Sequence, residues 1–144
     1  MGTKSIRHIV EGLVAQQLAL DDGLTRVNFY TGDGGSTMAL PKCVVLVDSA
    51  KAPADLPEGL GNYLCSVRVT LFSNADDTTL TTHRARCASI AGVMQGLSSM
   101  KAAFTASGDA TLYDITPISE DEGVDERSWA TVFAYELLCV VPAA

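Results

Sequence analysis

The sequence predicts an α+β domain, a mostly antiparallel sheet of about five strands with two helices packed on one face. Three observations lead there. Apolar residues recur at helical spacing in two long segments, they alternate or run continuously in the remaining ordered segments, and the strand-like segments follow one another in runs. The element order is therefore α, β, β, β, α, β, β.

Ser5 to Leu20 reads as the first helix, because Ile6, Ile9, Val10, Leu13, Val14 and Gln17 fall on one mainly apolar stripe, with Thr3 or Ser5 as cap. Asp21, Asp22 and Gly23 end it, and Thr25 to Tyr30 is β-branched and aromatic enough for a short strand. Gly32 to Gly35 reads as a turn. Pro41 opens the apolar run Lys42 to Asp48, an inner strand, and Ser49 to Asn62, with three of its residues being Pro53, Pro57 and Gly59, reads as an exposed connection or arm. Tyr63 to Ser73 alternates cleanly, with Cys65, Val67, Val69 and Leu71 on the core face and Ser66, Arg68 and Thr70 on the other.

Asn74, Asp76, Asp77 and Thr78 supply capping oxygens for a second helix over about Thr79 to Met100, whose stripe is Leu80, His83, Cys87, Ile90, Met94 and Leu97. Ala103 to Gly108 reads as a loop, Thr111 to Ile118 as a strand and Ser119 to Arg127 as a mobile polar turn. Ser128 to Val141 closes the chain as a long strand. Its odd positions from Trp129 to Val141 are mainly apolar, and so are the even ones except Glu136, so both faces should be covered.

The 144 residues suit one domain, because folding at this size reduces about 22,000 Å² of extended surface to about 7,000 Å². With 47% hydrophobic and 19% charged residues, the composition lies far from that of disordered chains. Ten basic against 17 acidic residues give a formal charge of -7, which disfavours binding to nucleic acid or to an anionic membrane. The longest apolar runs, Cys43 to Val47 and Leu137 to Val141, are far too short to span a bilayer. The N-terminal stretch is amphipathic and unlike a secretory apolar core, so a cytosolic setting is expected.

No catalytic, cofactor or metal site is predicted. Cys43, Cys65, Cys87 and Cys139 show no CxxC pair, and they read as reduced core thiols in preference to a four-cysteine metal site or two disulfides. The segment Gly32 to Thr37 has neither the lysine nor the following helix of a phosphate loop. Ser98 and Lys101 match SxxK without its companion motifs, and His8 and His83 read as structural histidines. What remains is surplus apolar surface: two helices cover one face of a sheet, yet the last strand is apolar on both. An oligomer interface is expected at Leu60, Leu64, Arg68, Thr70, Phe72 and Glu136. The acids Glu120, Asp121, Glu122, Asp125 and Glu126 form a negatively charged candidate loop that would repel DNA or meet a basic partner.

The helix Ile6-x-x-Ile9-Val10-x-x-Leu13, the strand Pro41 to Val47, the long connection, the alternating strand Tyr63 to Phe72, the helix from Asp76 and Asp77 through Leu97, and the final strand ending at Val141 form a pattern over most of the chain. It resembles the tail terminator proteins of long-tailed bacteriophages and their relatives in tail completion and the neck. That resemblance implies a non-enzymatic virion subunit without cofactors, built in the host cytoplasm. It would form a homo-oligomeric, hexameric ring at the head-proximal end of the tail tube, end tube polymerisation, and contact tail tube protein and neck or connector proteins. DNA would only pass through its lumen, which the Glu120 to Glu126 turn would face unless it meets a neighbouring ring, and no membrane is involved. Two alternatives stand beside it: a neck or head-tail joining ring, and a small cytosolic enzyme or ligand-binding domain, which predicts a pocket gathering His83 or a cysteine with polar partners.

Overall fold

A computed structural model describes residues 5–32, 39–51, 62–125 and 127–141. Helix α1 (Ile6–Ala19) begins at Ser5, whose side chain accepts from the His8 amide, and it buries Ile9, Val10, Leu13, Val14 and Leu18. A 3-10 turn, Asp22–Leu24, follows where the sequence predicts the end of the helix, and the strand predicted from Thr25 to Tyr30 is β1, confined to Asn28–Thr31. Leu24 and Val27 enter the core from this turn, so the apolar residues ahead of β1 serve packing without pairing.

Strand β2 (Lys42–Lys51) runs parallel to β1 and antiparallel to β3 (Asn62–Asn74). Strand β5 (Ser128–Val140) pairs with β3, and β4 (Thr111–Asp125) pairs with β5, giving the sheet order β1-β2-β3-β5-β4. The fold is α+β and the sheet mostly antiparallel, as the sequence predicts.

The helical layer differs from expectation. Gly96 interrupts the predicted second helix at φ -79 and ψ 67, which leaves α2 (Leu80–Gln95) and α3 (Leu97–Ser107), so three helices cover the sheet. The segment from Ala103, expected to be a loop, is the second half of α3. It buries Phe104 four residues after Met100 and closes at Gly108 in the left-handed conformation, φ 74, which glycine adopts without steric cost. The cap of α2 is Thr79, which accepts from the Thr82 amide. Asn74 instead accepts from the Asp76 amide in a local turn, and Asp77 accepts from the Thr78 hydroxyl.

The largest correction concerns 119–125. This acidic segment is the outer half of β4, paired with β5 from Ser119↔Ala134 to Asp125↔Ser128. Alternation is absent from its sequence because this half of the edge strand is exposed on both faces, Ser119 to Val124 all being exposed. The core lies between the helices and one sheet face, where Cys43, Val45, Val47, Cys65, Val67, Val69, Leu71, Phe133, Leu137 and Cys139 are buried.

Candidate functional site

The other face of the sheet is open. Side chains in a strand alternate across it, so the residues between the buried ones line up here in cross-strand rows. One row is Lys42, Phe72, Ala130 and Gly123; the next is Val44, Thr70, Val132 and Asp121; the third is Leu46, Arg68, Ala134 and Ser119. Beyond the register shifts come Ser66, Glu136 and Thr116, then Leu64, Leu138 and Asp114. No element among the described residues packs on these rows. Val44, Leu46, Leu64, Phe72, Val132, Ala134, Leu138 and Val140 are all only half-buried, although every one is apolar.

The predicted interface residues Leu64, Arg68, Thr70, Phe72 and Glu136 therefore share this single face. Leu60 lies outside the described residues. Among the described residues β5 is covered on one side only, since its odd positions from Thr131 to Cys139 are buried and its even positions stay half-buried. Polar groups alternate with the apolar ones: Ser66, Arg68, Thr70 and Glu136 lie on the inner strands β3 and β5, and Lys42, Asp114, Thr116, Ser119 and Asp121 lie on β2 and β4. Arg68 pairs with Asp48 at 2.9 Å, and the Lys42 ammonium lies 4.8 Å from the centre of the Phe72 ring. Together Gly32, Lys42, Val44, Leu46, Arg68, Thr70 and Phe72 line a shallow hollow of about 250 Å³.

The predicted acidic loop is split by its strand geometry. Asp121 projects on the open side beside Val132, whereas Glu120 and Glu122 align with the core-side residues Phe133 and Thr131. Glu122 is held there by Arg84 of α2 through two hydrogen bonds of 3.1 and 2.7 Å, and that guanidinium holds its carboxyl below the usual range. Glu126 and the side chain of Asp125 lie outside the described residues.

The features that suggest chemistry are otherwise committed. His83 is fully buried on α2, with Nδ1 2.8 Å from Ser73 Oγ and Nε2 2.8 Å from Thr131 Oγ1. Arg86 donates to the same Ser73 hydroxyl at 3.1 Å. Burial holds the imidazole below its ordinary pKa, with Arg86 and Arg84 acting in the same direction and Glu122 opposing them. A hydroxyl at each ring nitrogen makes this a packing network, with no side of the ring open to a substrate. Cys87 does line a hollow of about 370 Å³ with Arg84, Glu120 and Glu122, but burial pushes its thiol up, away from the reactive thiolate. Burial also pushes Cys43 up, to about 12, with Cys87 adding to the shift. No group of three or more His, Cys, Asp or Glu residues is placed to hold a metal among the described residues, and no helix there is long and apolar enough to cross a membrane.

Sequence reasoning missed Glu11. It is buried on α1, and its Oε2 accepts from the Val47 amide at 2.8 Å. Its position beside the apolar stripe of α1 was the available signal, but only the end of β1 reveals what it binds.

At the level of class the protein is an α+β domain whose sheet carries one helical layer and, among the described residues, no covering element on its other face. No family model and no curated protein matches the chain. Its fold is similar to that of a chain in the solved structure described as "Virion of native gene transfer agent (GTA) particle". The TM-score is 0.61 at 11% identity, over 91% of this chain and 94% of that one.

Proposed function

We propose that this protein is a single-domain, non-enzymatic structural subunit of a phage-like virion. In the finer reading it is a tail terminator that forms a ring at the head-proximal end of the tail tube, ends tube growth and meets the neck. The open face carries this reading: rows of half-buried valine, leucine, alanine and phenylalanine on three adjacent strands are apolar surface that a neighbour would remove from water. The shared fold of a chain from a gene transfer agent virion supports the class, because the likeness extends over nearly the whole of both chains. The charge of -7 suits a ring through which DNA must slide without adhering.

Particles assembled without the protein test the reading. A terminator predicts tail tubes of uncontrolled length. A neck or head-tail joining ring predicts tubes of normal length that fail to join heads. Normal, infectious or gene-transferring particles would refute both. Electron microscopy of complete particles then locates the protein, and the terminator reading expects it as a closed ring capping the tube.

A further inference from the structure

Two parts of the sheet fit each other, yet one subunit cannot bring them together. The first is the hollow on the open face, whose apolar residues are Val44, Leu46 and Phe72 and whose charged residues Lys42 and Arg68 stand against the single carboxylate of Asp48. The second is the outer half of β4. There Ile118 and Val124 are 55% and 62% exposed, and they share the helix side of the strand with Glu120, which is in no ion pair among the described residues. One part is apolar with a cationic excess, the other apolar with an anionic excess.

The register sets both at the same height. The rows from Lys42 to Gly123, from Val44 to Asp121 and from Leu46 to Ser119 each start in the hollow and end in the outer half of β4. β4 lies two strand spacings from β3 and three from β2, about 10 to 14 Å. It is hydrogen-bonded into the same sheet, so it cannot turn back into the hollow of its own subunit.

We propose that the helix side of the outer half of β4 from one copy docks into this hollow on the next copy, with Ile118 and Val124 against Val44, Leu46 and Phe72 and Glu120 against Lys42 and Arg68. Donor and acceptor are different patches on opposite sides of one sheet, so the contact is head-to-tail. Because they share one height along the strands, an axis parallel to the strands would relate successive copies by rotation without rise, the condition for closing a ring rather than growing a helix. The proposal rests on the ring reading and supplies the contact that would build it.

Charge reversal in the full-length protein tests it. Sedimentation of the native chain should show concentration-dependent assembly that weakens with added salt. Lys42→Glu alone and Glu120→Lys alone should each lower the association constant at least about tenfold, because each sets like charges together. The combined variant should restore it, and thermal unfolding would verify that all variants fold. A benzophenone amino acid at Ile118 should crosslink between isotopically distinct copies to the tryptic peptides 43–51 or 69–84. Assembly that ignores both reversals, a double variant no better than the singles, or crosslinks elsewhere would overturn the contact and leave the ring reading standing. A chain that remains monomeric at millimolar concentration and on tail tubes would overturn both.

Discussion

The amide of Val47 in β2 donates to the carboxylate of Glu11 in α1 at 2.8 Å, a hydrogen bond buried between helix and sheet. Its cause is the shortness of β1. The Gly32 amide donates to the Val45 carbonyl, so Val45 directs its backbone groups toward β1, and by strand alternation Val47 does the same one pair further on. β1 has already ended at Thr31, and the register of β2 shifts between Val47 and Ser49. Glu11 takes the place of the missing strand.

Glu11→Ala should therefore cost about 2 to 3 kcal/mol, the range for a buried donor left without its charged or polar acceptor. Glu11→Gln keeps an acceptor oxygen and should cost about 1 kcal/mol. Urea unfolding checks the order of the two: equal midpoints for both variants would mean that the contact does not hold the edge of the sheet.

Stability should fall on acidification below about pH 6.5, the ordinary histidine pKa. The native state holds His83 below that value, so over this window the unfolded chain binds more protons and stability rises with pH. Melting temperatures between pH 5 and pH 8 report the slope, and His83→Gln should flatten it between pH 6.5 and pH 5. His83→Ala, which strands the Ser73 and Thr131 hydroxyls beside a cavity, should cost about 2 to 4 kcal/mol at every pH.

Neighbouring residues on β3 should separate folding from assembly. Val69 is fully buried against the helices, and Thr70 is half-buried on the open face. Val69→Lys should abolish folding, whereas Thr70→Lys should change monomer stability by about 1 kcal/mol or less and weaken association. Circular dichroism and sedimentation on the same samples give the two readouts. Loss of fold in Thr70→Lys would mean that the face is already covered in the monomer.

The four thiols should be inert in the native protein, since all are buried and burial pushes Cys43 up to about 12. A disulfide reagent at pH 8 should titrate less than about one thiol before unfolding and all of them in guanidinium. Rapid reaction of Cys87, the one that lines a hollow, would revive the enzyme alternative.

The fold class and most strands were legible because their signal is local. Alternation from Tyr63 to Ser73 assigns the faces of β3, and doubly apolar β5 marks a sheet with something to cover on each side. The break at Gly96 was masked by Leu97, which continues the stripe of α2 across it. The strand at 119–125 was illegible because its residues are held by pairing with β5 and by Arg84, 38 positions from Glu122 in the chain.

By itself the sequence determined which residues avoid water and therefore the α+β layering, since periodicity is a property of neighbours along the chain. Only the tertiary structure decided that Arg68, Thr70, Phe72 and Glu136 share one uncovered face, and that the outer half of β4 stands level with the hollow between β2 and β3. Both depend on register between strands distant in sequence, and register is set by long-range hydrogen bonding and core packing that no local pattern encodes.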